Sequence, residues 1–189
     1  MLVTKDDRHK KRLVVDYSRT INRYTPLDAY PLPKIENIVN EVAKGVIYSS
    51  IDLKSAYHQV PLSPTDRPFT AFEADGRLFQ FRRLPFGVTN GVAAFQRFID
   101  GFISAHNLKG TVANLDDVTI YGKNQARHDA RLAAFMSAAT ASNLTLNEQK
   151  CIFSASKITL LGHLISHSNI QPDPDHLKPL TEMPIPSDN

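Results

Sequence analysis

Between Thr111 and Gly122 the chain places two adjacent carboxylates, Asp116 and Asp117, between short runs of β-branched and apolar residues, T-V-A-N-L-D-D-V-T-I-Y-G. Such runs on either side of turn formers predict strand, tight turn, strand. Neighbouring like charges repel, and the penalty falls when they face solvent or share a cation. The stretch therefore demands a hairpin with an acidic, water-facing tip.

A third carboxylate, Asp52, ends a second β-like run, Val46 to Leu53. One lone Asp plus an Asp-Asp pair on a separate hairpin matches what two-metal nucleotidyl transfer needs. There, two Mg2+ ions about 3.5–4 Å apart clamp the attacking and leaving oxygens. Mg2+ takes hard oxygen ligands, a few carboxylates with phosphates and water. The same residues also suit plainer work. Asp and Asn stabilise turns through local backbone bonds, and Asp52 would serve as an N-cap for the residues after it. On these residues alone both readings stand.

Composition excludes some classes. The 189 residues suffice for one sizeable core and a second small lobe. No run of about 18 apolar residues predicts a membrane span, and Met1 to Arg12 lacks the apolar core of a signal peptide. The expectation is an intracellular protein, cytoplasmic or in a virus-like particle, and not secreted. Cys151 is the only cysteine, so an internal disulfide is excluded, and its apolar setting predicts a buried thiol. The net charge is +3, but the first 23 residues carry seven Lys/Arg (Lys5, Arg8, Lys10, Lys11, Arg12, Arg19, Arg23) against three Asp. That excess of +4 fits a solvated face, and equally a surface that neutralises phosphates.

Periodicity and turn residues sketch the rest. Lys10 to Tyr17 ends in a β-like run, and residues 26–33, with three prolines, form an extended connector. Ile35 to Lys44 predicts a helix with Ile35, Ile38, Val39 and Val42 on one stripe and Gly45 past its end. Asp75-Gly76 between alternating runs predicts a hairpin. Thr89 to His106 predicts a helix packed through Phe95, Phe98, Ile99, Phe102 and Ile103. A second, His128 to Ala141, packs through Leu132, Phe135, Met136 and Ala139. Leu144 to Phe153 predicts a β-like return, Leu160 to Ile170 a hairpin, and Pro174 a helix start capped by Asp173. His163, His167 and His176 do not make a zinc reading, since no Cys or acidic ligand stands at zinc spacing around them. No Walker-type Gly-rich phosphate loop occurs.

Several motifs in order then carry a family resemblance. Ile51-Asp52-Leu53-Lys54-Ser55-Ala56-Tyr57-His58-Gln59-Val60, Leu84-Pro85-Phe86-Gly87, Phe95-Gln96-Arg97, Leu115-Asp116-Asp117, Leu144 to Cys151, and Leu161-Gly162-His163-Leu164-Ile165-Ser166 succeed one another over nearly the whole chain. The sequence resembles reverse transcriptases of gypsy-type long-terminal-repeat retrotransposons. The resemblance implies an α+β fold: a right-hand polymerase palm, an antiparallel sheet backed by helices, with partial fingers and the start of a thumb. It divides a single domain over residues 1–189 into fingers (1–45 and 61–85), palm (46–60 and 86–155), and primer grip with a truncated thumb start (156–189).

The activity implied is RNA-directed DNA polymerisation. Asp52, Asp116 and Asp117 would be catalytic and, with the backbone carbonyl of Leu53, would hold Mg2+, for which Mn2+ could substitute. Lys5 and Arg12 match basic positions that hold the incoming triphosphate, Arg12 more closely because it lies four residues before Asp16 of the Val15-Asp16-Tyr17 element. Tyr57 would sit under the nucleotide sugar and select deoxynucleotides, or be a core Tyr; Phe86 and Gly87 would face the nucleotide. Lys150 would protonate leaving pyrophosphate or lie in a surface turn, and Leu161, Gly162 and His163 match the primer grip. Partners implied are an RNA or DNA template with primer and deoxynucleoside triphosphates, with no membrane. The protease, ribonuclease H and integrase of such polyproteins are not in this chain, which is expected to be a palm-centred fragment.

Two departures stand out. Asn114 occupies a place where the family usually has an aromatic, most often Tyr, and Asn90-Gly91-Val92-Ala93 replaces Asn-Ala-Pro-Ala. An active polymerase and a catalytically impaired relic that only binds nucleic acid both fit this pattern. An unrelated acidic metal-binding domain leaves the Leu84–Gly87 and Leu161–Ser166 matches unexplained.

Overall fold

The computed structural model describes residues 2–7, 10–175 and 178, with side chains from residue 14 onward. In chain order the elements are β1 (Leu2–Asp7), β2 (Lys10–Val15), α1 (Ile21–Tyr24), α2 (Ile35–Val42), β3 (Ile47–Asp52), β4 (Phe72–Ala74), β5 (Arg77–Phe79), α3 (Gly91–Ala105), β6 (Thr111–Asn114), β7 (Asp117–Gly122), α4 (Gln125–Ala141), β8 (Ile152–Ala155), β9 (Ile158–Leu160), β10 (His163–Ser166) and β11 (Asn169–Pro172). Short 3-10 turns span Ala56–Gln59, Arg67–Thr70 and Glu148–Lys150. No helix among the described residues is long and apolar enough to cross a membrane.

The centre is an antiparallel sheet of four strands in the order β6-β7-β3-β8. Alternation along its strands gives each face a different cover. Ile51, Ala113, Val118 and Ile120 point to one face and pack against Phe95, Ile99 and Phe102 of α3 and Phe135, Ala138 and Ala139 of α4. Tyr48 and Tyr121 point to the other, where Ile38, Val39 and Val42 of α2 and Ile158, Leu160 and Ile165 of the sheet β11-β10-β9 cover them. Each fully buried Phe or Ile contributes roughly 1.5–3 kcal/mol. On this second face α2 and β9–β10 cluster at the Tyr48–Tyr121 end of the strands. The opposite end, which carries Asp52, Asn114 and Asp117, ranges from half-buried to exposed.

Most polar side chains in the core are paired; among the described residues the Thr111 hydroxyl is buried without a partner. His128 is fully buried, with one ring nitrogen 2.9 Å from Ser49 Oγ and the other 2.9 Å from Asp129 Oδ1. Ser49 Oγ also accepts from the Ser154 N–H, so one group joins β3, α4 and β8. Tyr121 donates its hydroxyl to Glu41, which also pairs with Lys44.

The connector between α1 and α2 is pinned to the start of α3. Asn22 bonds the Gly87 carbonyl and the Thr89 N–H; Asn90 bonds the Pro26 carbonyl and the Asp28 N–H. Arg97 forms a forked ion pair with Asp28 at 2.8 and 3.0 Å and lies over the Tyr30 ring. Asn90 therefore spends its side chain on the connector and leaves α3 without a side-chain cap.

Most expected elements are present, and the differences have local reasons. The Asp75-Gly76 hairpin forms, with both residues at positive φ (52° and 67°), as a I′ turn requires. Ile35 (45% exposed) and Met136 (37% exposed) fall off their helices' buried stripes, because neither α2 nor α4 is covered on that side. The return after α4 becomes strand only at Ile152: Leu146 makes a single bridge to Leu53, and a 3-10 turn intervenes. Cys151 is half-buried outside the strand, its thiol directed at the Asp52 carbonyl at 4.0 Å. Residues 174, 175 and 178 are helical, and the Asp175 N–H donates to Asp173 Oδ1 at 3.2 Å; His176 lies outside the described residues.

Candidate active site

The three aspartates come together at the open end of the central sheet. β3 pairs with β7 so that Asp52 and Asp117 are direct partners, and β7 pairs with β6 so that Asn114 is the partner of Asp117. Alternation places Asn114, Asp117 and Asp52 in one row on the face of Tyr121 and Tyr48. Leu53 continues β3 with its side chain buried in the core, and its N–H donates to the Asp116 carbonyl at 3.4 Å. Asp116 and Asp117 are exposed, and Asp52 is 23% exposed.

The hairpin turn between β6 and β7 has two central residues, Leu115 and Asp116, with Leu115 at φ 56°. A two-residue turn with its first residue at positive φ favours Gly there, and a branched residue in that region is uncommon. The buried amide of Gln96, on α3, accepts from the Leu115 N–H at 2.9 Å and donates to the Ala113 carbonyl at 3.2 Å. The sequence motif contained Gln96, but nothing in its spacing distinguished it from other helix residues; an amide on a buried helix stripe was the available signal.

Charge is unbalanced here. The Asp117 carboxyl is held above the usual carboxylate value, first by the loss of surrounding water and then by the charges of Asp116 and Asp52, with Lys150 opposing. Its exposed tip argues that the two neighbouring carboxylates matter more than burial. Lys150 Nζ stands 3.9 Å from Asp52 Oδ2, a long and largely exposed ion pair of the kind that contributes little stability.

Beside the aspartates is an aromatic platform. Tyr57 stacks on Phe95 (5.3 Å between centroids, 17°) and packs against Phe86 (5.1 Å). Burial raises the Tyr57 hydroxyl pKa, and the Asp116 charge raises it further, so ring and carboxylate share one environment. Phe86 also meets His58 edge-on at 5.0 Å. Gly87 is at φ 91°, and a Cβ there would lie 2.8 Å from the Val15 carbonyl, so the loop after Phe86 rests directly on the end of β2. Gly91 performs a similar service at the start of α3, where a Cβ would stand 3.2 Å from the Tyr57 ring.

Other expected site residues lie apart. Lys5 and Arg12 are register partners across β1 and β2; their side chains lie outside the described ones. Leu161 and Gly162 form the two-residue turn between β9 and β10, both at positive φ (50° and 77°). His163 Nδ1 donates to the Leu161 carbonyl at 3.0 Å, and the Gly162 carbonyl accepts from the Asp173 N–H at 2.9 Å. This turn belongs to the sheet covering the Tyr48–Tyr121 end, not to the aspartate row.

Among the described residues no three His, Cys, Asp or Glu side chains converge as a ready-made metal cage. The donor set still fits Mg2+, which is commonly held by one or two carboxylates together with substrate phosphates. Asp52 and Asp117 offer only oxygen, face the same side, and carry a mutual repulsion that a cation would relieve.

Comparisons with known proteins give the family. The reverse transcriptase (RNA-dependent DNA polymerase) family matches residues 3–165. The Retrovirus-related Pol polyprotein from transposon gypsy of Drosophila melanogaster is 33% identical over 93% of this chain and 17% of its own length. That from transposon opus of the same organism is 31% identical over the same shares, and the Tf2-3 polyprotein of Schizosaccharomyces pombe is 30% identical over 85% of this chain and 12% of its own. This chain thus spans about a sixth or less of these relatives. Among solved structures, foamy viral protease-reverse transcriptase in complex with double-stranded DNA aligns with TM-score 0.86 at 22% identity, covering 98% of this chain and 32% of that one. The form in complex with RNA/DNA hybrid aligns with TM-score 0.82 at 22% identity, covering 98% and 24%. The chain belongs to the reverse transcriptase family.

Proposed function

We propose that this member of the reverse transcriptase family carries out template-directed DNA synthesis as the polymerase portion of a retrotransposon Pol polyprotein. The observation that carries the reading is the row Asn114, Asp117, Asp52, with Asp116 at the turn, on the uncovered end of the central sheet. Asp52, Asp116 and Asp117, with the Leu53 carbonyl, would hold Mg2+ (or Mn2+). Bound there, the metal would supply charge for the triphosphate and acidify the primer 3′-hydroxyl. The protein's own part is mainly positioning and electrostatics.

In this reading the Tyr57 ring, backed by Phe95 and Phe86, forms a rigid floor for the nucleotide sugar and crowds a 2′-hydroxyl. Lys150, 3.9 Å from Asp52, would offer a proton to departing pyrophosphate. Lys5 and Arg12, partners across β1 and β2, would draw the triphosphate; like charges placed opposite each other are most comfortable around an anion. The Leu161–His163 turn would steady the primer strand. Template and primer would be held by charge and shape, so binding should weaken steeply with salt. By the same reading 1–45 and 61–85 are fingers, 46–60 and 86–155 palm, and 156–189 primer grip and thumb start, working in the cytoplasm or a virus-like particle.

The test is Mg2+-dependent primer extension on an RNA template by the purified chain, with Asp116→Asn beside it. Extension by wild type and a loss of orders of magnitude in the variant support the reading. Equal extension by both would sink the site assignment. Asn114 favours a second reading, a relic that binds nucleic acid without extending it. Salt-sensitive template binding without extension by either protein would select it.

A further inference from the structure

Gln96 lies mid-helix in α3 with no exposed surface, yet both of its amide atoms are hydrogen-bonded, to α3, β6 and the turn after it. Nε2 donates to Asp100 Oδ1 at 2.9 Å and to the Ala113 carbonyl at 3.2 Å, and Oε1 accepts from the Leu115 N–H at 2.9 Å. Asp100 is held in turn by the Tyr30 hydroxyl, which donates to Oδ2 at 2.8 Å. A continuous hydrogen-bonded path therefore runs from the connector, through α3, to the backbone of the aspartate turn.

The order of this path has a chemical logic. Asp100 Oδ1 and the Ala113 carbonyl both accept, so together they require the NH2 side of the Gln96 amide. The amide oxygen is then left facing the hairpin, where it meets the one N–H of a residue held at φ 56°. Leu adopts that conformation reluctantly, while Gly would adopt it freely. The turn thus relies on an outside acceptor to keep its shape, and that shape sets where Asp116 and Asp117 stand.

We propose that Gln96 is a positioning residue for the catalytic turn: it holds Leu115 in its left-handed conformation and so places the two aspartates, while the Ala113 carbonyl and Asp100, anchored by Tyr30, together set the direction of its amide. The inference rests on the polymerase reading of those aspartates. It predicts that Gln96 acts on the chemical step rather than on nucleotide binding, because its hydrogen bonds go to Asp100, Ala113 and Leu115 and none to the aromatic platform residues Tyr57 and Phe86.

The experiment uses the purified chain, Gln96→Leu, Leu115→Gly and the double variant. Two readouts are taken: hydrogen exchange at the Leu115 amide, and kcat and KM for nucleotide addition. Gln96→Leu should strip protection from the Leu115 amide and lower kcat by about 10- to 100-fold, since small misplacements of reacting groups cost that much, with KM held within about threefold. Leu115→Gly should return at least about threefold of the lost kcat in the Gln96→Leu background, because Gly makes the turn unaided. A purely structural Gln96 would instead give additive losses.

A folded Gln96→Leu that keeps Leu115 protected, or a double variant whose losses add, overturns the inference. If Gln96→Leu does not fold, the wild-type chain decides the matter: a Leu115 amide that exchanges as freely as an unbonded one overturns the inference. If the wild-type chain extends no primer, the polymerase reading fails by itself, and Leu115 exchange still answers whether Gln96 holds the turn.

Discussion

Asp52 and Asp117 are direct partners across β3 and β7, so two carboxylates stand opposite each other on the uncovered end of the central sheet. Nothing in the packing requires this. Like charges placed opposite across strands destabilise a sheet by roughly 0.2–1 kcal/mol. Asp117→Asn should therefore raise the thermal midpoint of the metal-free chain while removing activity. Adding Mg2+ should raise the midpoint of wild type more than that of the variant, as a ligand bound only by the folded state must. Thermal melts with and without Mg2+ check this; a variant less stable than metal-free wild type would contradict it.

Asn114 is the partner of Asp117 on its other side. An aromatic ring there would add contact area along the hairpin where the family usually has one. Aromatic contacts worth about 0.5–1.5 kcal/mol correspond to roughly 2- to 13-fold in rate if they act in the transition state. Asn114→Tyr should raise the rate of primer extension by a factor in that range. An unchanged rate would clear Asn114 of responsibility for any weakness of this chain.

Gly87 carries both a positive φ (91°) and a close approach, with its would-be Cβ 2.8 Å from the Val15 carbonyl. Gly87→Ala has to strain the turn and push β2 away from the loop that carries Phe86. A strained backbone position of this kind costs about 1–3 kcal/mol. Chemical denaturation should show a loss of that size, whereas Gly76→Ala, which meets nothing within 4 Å, should lose only the part due to its positive φ.

Tyr17 is buried, donates its hydroxyl to the Thr70 carbonyl at 2.9 Å, and has its pKa pushed by burial from 10.0 up to about 12. Below pH 10 both folded and unfolded forms keep the proton, and the contribution is fully present. Between about pH 10 and 12 the unfolded phenol has lost its proton and the folded one has not, so stability falls as pH rises through that window. Tyr121, also raised to about 12, first by burial and then by Glu41, adds a slope of the same sign. Urea midpoints measured from pH 9 to 12 should fall for wild type and fall less steeply for Tyr17→Phe.

What could be read locally was read from the residues themselves. Strand and helix periods, the Asp75-Gly76 turn and the Asp-Asp hairpin each depend on a few neighbouring side chains, and all but the first part of the Leu144–Phe153 return are present. Ordered motifs along the chain pointed to the family that the comparisons show. The sequence thus determined which elements form, where the acidic tip lies, and which family the chain belongs to. Tertiary structure alone decided that Asp52 partners Asp117, that Asn114 joins their row, and that Ile35 and Met136 are left uncovered. It also decided that Gln96 and His128 are buried with each polar side-chain atom hydrogen-bonded. Register and burial depend on which distant segment packs against an element, whereas periodicity and turn chemistry are set within a few residues. A polar side chain on a helix looks the same in sequence whether it meets water or, as with Gln96, the backbone of a strained turn 19 residues away.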